Sequence, residues 1–345
     1  MGARVEDTPA TGILARATVQ RERNVEIDAP NAARRQIRLP SKCRQHLQGL
    51  GAQDMASQAS RARRHPTFPP GGAMTKSTVL RGIAAYDIHV GGERANVGCR
   101  DELLARALHD PAALDAMFQF AQDWRPDIFV LGGDQLDCGC IAHWNDTYPG
   151  RVEGERFRDD LDTLDRLVIK RIDKVTRKGG RKVWIRGNHE RFCTDFLDRH
   201  ASLRGLVSIE GYLRLKERGF ELYDFGEAAR VGKMWFVHGE HVGSNQYGAK
   251  RAVEAYGKNV RFGHHHSHGV HIKTSPIDES DFHSAVMIPC MCRKNPGYAK
   301  NKPNNWVNGF STFEVDERTG LFNTHTHLMV RGRFVSGGKV YGGSK

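Results

Sequence analysis

Five short apolar runs in this chain each lead straight into a residue type that binds hard or borderline metal ions. They are Tyr86-Asp87-Ile88-His89, Gly132-Gly133-Asp134, Arg186-Gly187-Asn188-His189, Val237-His238-Gly239 and Phe262-Gly263-His264-His265-His266. Carboxylate, amide-oxygen and imidazole donors without cysteine suit manganese, iron, zinc or nickel, and the sequence does not select among them. The glycines before Asp134, Asn188 and His264 fit sharp chain exits where backbone must turn close to an ion.

The flanking pattern alternates strands and helices. Strands are expected over 79–86, 128–131, 183–185, 234–237 and 260–262. Asp110 can cap a helix opened by Pro111, with Leu114, Met117, Phe118 and Ala121 on one face. One long amphipathic helix is marked by Phe157, Leu161, Leu164, Val168, Ile172 and Val175 and ends at Gly179-Gly180. A further helix is expected over 246–256. From about Ser284 the chain reads as successive strands with turns at 316–320 and 331–332. In open α/β sheets ligands gather at the carboxyl ends of strands, so the five runs are expected to converge on one crevice.

The ordered set D-x-H, G-D-x-x-D, G-N-H-E, H and G-H-x-H resembles the calcineurin-like metallophosphoesterase superfamily over residues 79–266, and the later strands fit its second sheet. The resemblance implies a four-layer α/β/β/α sandwich of two mixed sheets. It also implies that Asp87, His89 and His266 hold a first metal, that Asp134 bridges, and that Asn188, His238 and His264 hold a second. Two divalent ions, less the charges of Asp87, Asp134 and a bridging hydroxide, leave a centre of about +1 that attracts phosphate. The expected reaction is hydrolysis of a phosphomonoester or phosphodiester by that hydroxide, with manganese the first candidate metal. The compact layout also looks like small phosphoesterases of phage and prophage genomes.

In the phosphoprotein phosphatase branch the histidine of G-N-H-E pairs with the second aspartate of G-D-x-x-D. The resemblance therefore makes His189 the general acid and Asp137 the carboxylate that orients it and favours its imidazolium. This chain departs at the next position, where Cys138-Gly139 replaces arginine and glycine. A phosphate-gripping arginine is missing, and Arg191 is the candidate substitute. Frame counting from Gly263 selects His264 and His266 over His266 and His268. His143 and His241 are expected near the rim, and Trp144, Tyr298 and Trp306 either line a substrate wall or fill core.

The composition, 39% hydrophobic and 27% charged over 345 residues, is that of a soluble globular protein. No run approaches the roughly 18 apolar residues of a membrane span, and no secretory h-region opens the chain. Seven cysteines, an odd number, point to a reducing cytoplasm, with Cys138-Gly139-Cys140 and Cys290-Met291-Cys292 as free thiols rather than zinc sites.

The net charge of +12 is uneven: residues 1–73 carry 12 Lys/Arg against 6 Asp/Glu, half the excess. Without periodicity and ending in Pro69-Pro70-Gly71-Gly72, this stretch reads as a disordered basic segment before a catalytic domain over 74–345. A nucleic-acid-binding tail and a targeting segment are two accounts of it. A third, favoured because Met74-Thr-Lys-Ser runs directly into the first strand, makes Met74 the natural start. Phosphate-ester substrates are the expected partners, nucleic acid a further one, and no membrane. The alternatives are a DNA or RNA nuclease of the same superfamily, which the basic segment favours, and a non-catalytic scaffold, which would not need all seven ligand positions filled.

Overall fold

The first strand enters the core with its two faces apolar, because the sheet it joins is covered on both sides. The structure, a computed structural model, describes residues 78–92, 107–147, 149–152, 154–243, 247–295 and 303–343. The assignments for residues 1–73 and for Tyr298 lie outside them. Strand β1 (Val79–Ala85) pairs in parallel with β2 (Ile128–Leu131), and β2 pairs in parallel with β3 (Arg181–Ile185). Their ends are in register, Ala85 opposite Leu131 and Leu131 opposite Trp184. Three of the ligand-bearing turns therefore leave one sheet edge together.

Helix α1 (Pro111–Trp124) begins as expected: the Asp110 side chain accepts from the Ala113 N–H at 3.1 Å, and Pro111 occupies the first turn. The long helix is interrupted. It runs as α2 (Phe157–Leu164), a π turn (Asp165–Ile169) and α3 (Lys170–Val175). The apolar stripe survives the interruption, since Leu161, Leu164, Val168, Ile172 and Val175 all pack into the cluster outside the first sheet. Helix α4 (Asn188–Arg199) starts directly from the exit of β3.

The first sheet has the order β11-β10-β1-β2-β3-β4, where β4 is Phe220–Tyr223, β10 Asn308–Asp316 and β11 Phe322–Met329. The second has the order β5-β6-β7-β9-β8, with β5 Ala229–Val231, β6 Met234–Phe236, β7 Asn259–Phe262, β8 Gly269–Thr274 and β9 Phe282–Met287. Helix α5 (Gly248–Tyr256) packs outside it. A small hairpin, β12 (Phe334–Ser336) with β13 (Lys339–Tyr341), ends the chain.

One expectation is corrected here. The last long strands do not belong to the second sheet: β10 returns to pair antiparallel with β1, and β11 with β10. The cause is the apolar face of β10, where Phe310 packs outside the first sheet while Phe313 and Val315 face the second.

Alternation along the strands sorts the layers. Ile83, Ala85, Phe129 and Leu131 face α1, α2 and α3, while Ala84, Tyr86, Val130, Val183 and Ile185 meet Val231, Met234, Phe236 and Val286 of the second sheet. Outside that second sheet, Ala249, Ala252 and Val253 of α5 cover Val260, Phe262, Ala285 and Met287. The result is the expected helix–sheet–sheet–helix sandwich.

Candidate functional site

The chain turns abruptly at the exits of β1, β2 and β7, where the donor residues themselves take the strained conformation. Asp87, His89, Asp134, His264 and His266 all have positive φ, between 50° and 66°. For non-glycine residues each such turn costs about 1–2 kcal/mol, which the surrounding packing must offset. Gly133, at φ 111°, does need its freedom, and a Cβ there would meet His238 Nδ1 at 2.2 Å. Gly187 acts through closeness: its Cβ would lie 2.1 Å from Asp134 Oδ1. So the expectation that glycines supply the sharp exits holds at Gly133, whereas the ligand types carry most of the turning.

All seven predicted donors come together. Asp87, His89 and Asp134 form one group whose ligand atoms lie within 4.8 Å of one another, and Asp134, His238 and His264 form another. His89 Nε2 is 3.2 Å from His266 Nε2, and His266 Nε2 is 3.7 Å from Asp87 Oδ1. Asn188 Oδ1 lies 3.0 Å from His238 Nε2 and 2.9 Å from His264 Nδ1. Asp134 Oδ2 stands between the groups, 3.8 Å from His89 Nε2 and 3.3 Å from His238 Nε2. Atoms bound roughly 2.1 Å from one ion are separated by about 3.0–3.4 Å, so these spacings fit shared cations.

The donor chemistry also fits. Asp87 Oδ1 is buried with no hydrogen-bond partner among the described residues, an orphaned acceptor at the centre of the group. Its other oxygen is occupied, accepting from the His264 N–H at 2.8 Å. Burial, with Asp134 adding to it, lifts the Asp87 carboxyl to about 8. Burial opposes ionisation of Asp134 as well, yet His238, His189 and His89 hold it well below the usual carboxylate range. Burial pushes His264 down to about 4 and His266 well below its ordinary value, so both offer neutral lone pairs. His238 is the opposite case: burial works against its charge, but Asp134 and Asp87 raise it to about 10.

His189 sits beside this cluster. Its backbone N–H donates to Asp134 Oδ1 at 2.9 Å, and its Nδ1 lies 2.7 Å from the Asp137 carbonyl and 3.4 Å from Asp137 Oδ1. Burial lowers its affinity for a proton, but Asp134 and Asp137 outweigh that and raise its pKa. The expected pairing is therefore modified in detail. The Asp137 carboxylate is closer to His89 Nδ1, at 3.2 Å, and meets His189 more tightly through its main chain.

Sequence reasoning missed Glu190. Its buried carboxylate accepts from the N–H groups of Asp134 (3.0 Å), Leu136 (2.9 Å) and Gly187 (2.8 Å), stapling the β2 and β3 exits together. The signal was present, since Gly187 and Glu190 are the cap and third position of α4, a capping-box spacing.

Other candidates fall away from the cluster. His265 bonds to the Val242 carbonyl and His268 to that of Met287 (3.0 Å), and neither belongs to the donor groups formed by the described residues. His241 is exposed beside Glu240. Arg191 pairs with Asp195 and lies over Phe225, and Cys138 is a buried thiol. Half-exposed Trp144 reaches the site through Phe192, whose ring meets His189 at 4.8 Å, and His143 packs on the Trp144 ring. Trp306 packs edge-on against His266 at 4.1 Å. The five described cysteines are free.

Two mixed sheets face to face, with acidic, amide and imidazole donors gathered at their strand ends, make an α/β sandwich of the metallophosphoesterase kind with a candidate metal centre. The profile of the calcineurin-like phosphoesterase family matches residues 87–283, and the chain belongs to that family. A search of curated proteins returns no match. The family's chemistry is metal-dependent hydrolysis of phosphoric esters, and no described helix is long and apolar enough to cross a membrane.

Proposed function

We propose that the chain hydrolyses a phosphomonoester or phosphodiester at a binuclear centre. In this reading Asp87, His89 and His266 hold one ion, Asn188, His238 and His264 hold the other, and Asp134 is shared. The observation that carries it is the pair of donor groups with Asp134 common to both. Two bound divalent ions, manganese the first candidate, would neutralise phosphate oxygens and lower the pKa of an attacking water. His189 then donates its proton to the departing oxygen. The raised pKa supplies the imidazolium, and the Asp137 carbonyl and carboxylate hold the ring by Nδ1. Compartment and partners follow the same reading: a cytoplasmic enzyme acting on a phosphate ester.

A nucleic-acid phosphodiester is the second reading, favoured by the basic charge of residues 1–73. Hydrolysis of bis-p-nitrophenyl phosphate and p-nitrophenyl phosphate by the metal-reconstituted protein, beside an Asp134→Asn control, separates the cases. Preference for the monoester is a phosphatase result, and preference for the diester brings nucleic acid forward. No cleavage with manganese, nickel, iron or zinc, together with no bound metal, would leave a non-catalytic scaffold.

A further inference from the structure

Each ring in the cluster that turns Nε2 towards the other donors has its Nδ1 tethered from behind. His238 Nδ1 donates to the Gly132 carbonyl at 3.1 Å, and His89 Nδ1 to Asp137 Oδ1 at 3.2 Å. Such tethers fix which nitrogen carries the proton and so leave the other lone pair for an ion. His266 is the third case, and its tether is different in kind. Its Nδ1 faces the sulfur of Cys292 at 3.7 Å, while its Nε2 faces His89 Nε2 and Asp87 Oδ1.

Closeness alone groups His89, His266 and Cys292 as one candidate ligand set. The ring geometry rejects that grouping. The two nitrogens of an imidazole point in divergent directions, so an ion on Nε2 is out of reach of a thiol on the Nδ1 side. We infer that Cys292 is a positioning residue whose sulfur accepts the Nδ1–H of His266 and aims Nε2 at the Asp87 side of the cluster. This rests on the metal-centre reading above.

The backbone shows why a buried thiol stands there. Beyond β9 the chain crosses between the β1 exit and β10: Met291 N–H donates to the Tyr86 and Asp87 carbonyls, and Cys290 N–H to that of Val307. His266 is held in the same place from the other direction, its carbonyl accepting from the Val307 N–H at 2.8 Å. Trp306 closes the remaining side of the ring. Cys292 is 2% exposed, so water does not compete for the Nδ1–H.

A thiol sulfur is a neutral, weak acceptor, whereas the tether of His89 is a carboxylate. The Nδ1–H of His89 is thus held by the stronger acceptor and that of His266 by the weaker one. Of the two ligands facing each other at 3.2 Å, His266 is the one whose grip depends on packing.

The test uses the full chain, zinc as the probe, and two readouts other than turnover. In the metal-free wild type, nitrogen NMR of the histidine rings is expected to show His266 as the Nδ1–H tautomer; an Nε2–H tautomer overturns the inference without any variant. In chelator competition, Cys292→Ala is expected to weaken one of two zinc-binding steps about 10-fold or more. Cys292→Ser, which keeps an acceptor, recovers part of the loss. If Cys292→Ala lowers only the melting temperature of the metal-free protein and leaves both steps unchanged, Cys292 is core filler and the inference fails. If the wild type itself takes up no zinc, the metal-centre reading fails first.

Discussion

His189 shows how much a single side chain's role depends on what holds it. Its main chain is fixed to Asp134 and its Nδ1 to Asp137, and its ring meets that of His89 edge-on at 4.5 Å without being one of the seven candidate donors. His189→Asn should therefore leave metal content unchanged while lowering turnover on an alkyl phosphate roughly 100-fold, the usual lower bound for losing a general acid. A p-nitrophenyl ester, whose leaving group needs little help, should lose much less. Equal losses on both esters, with metal content intact, would remove His189 from proton transfer.

The strand exits work as a set because one carboxylate ties two of them. Glu190 lies in the first turn of α4, and its oxygens receive three backbone N–H groups from two loops. Burial raises this carboxyl to about 7, with Asp134 adding to the rise, while the Leu136 and Gly187 donors pull it back. Replacing it by Gln keeps the shape but presents an NH₂ to donors that need an acceptor. Glu190→Gln should cost about 2–3 kcal/mol, the range for hydrogen bonds to a charged group plus a stranded donor. Denaturant melts of the metal-free protein would measure it. A cost under about 0.5 kcal/mol would mean that the loops are held by their strained turns and not by Glu190.

Across the whole domain, folding buries titratable groups whose proton affinities move away from their ordinary values, and this gives a pH signature. In the metal-free protein Asp87 and His238 titrate near 8 and 10, above their unfolded values. Their contributions to stability are fully present below those unfolded values and are lost as pH rises through 8 and 10. Burial holds His109, His264 and His327 down to about 4, and their contributions, present above roughly pH 6.5, are lost as pH falls towards 4. Metal-free protein should thus melt highest near pH 6.5. Zinc, which must displace the protons on Asp87 and His238, should flatten the alkaline side and release protons on binding. Melting curves from pH 5 to 9 with and without zinc check both. A metal-free melting temperature that rises from pH 6.5 to 8.5 would contradict the assignment.

The sequence by itself determined the inventory. Side chains of metal-binding type at the ends of apolar runs are a local pattern, and from it, with the family resemblance to choose the frame, Asp87, His89, Asp134, Asn188, His238, His264 and His266 were legible as candidate donors. Helix α1 was equally legible, since Asp110 and Pro111 act within one turn. What only the tertiary structure decided lies in contacts between distant segments. The Asp137 carboxylate reaches His89 across 48 positions, and Cys292 reaches His266 across 26. Both contacts depend on left-handed turns at His89 and His266, which residue type does not announce. The return of β10 to β1 was hidden for a related reason. An apolar strand fits either sheet by its own pattern, and its place is set by which face remains uncovered when the rest of the chain has packed.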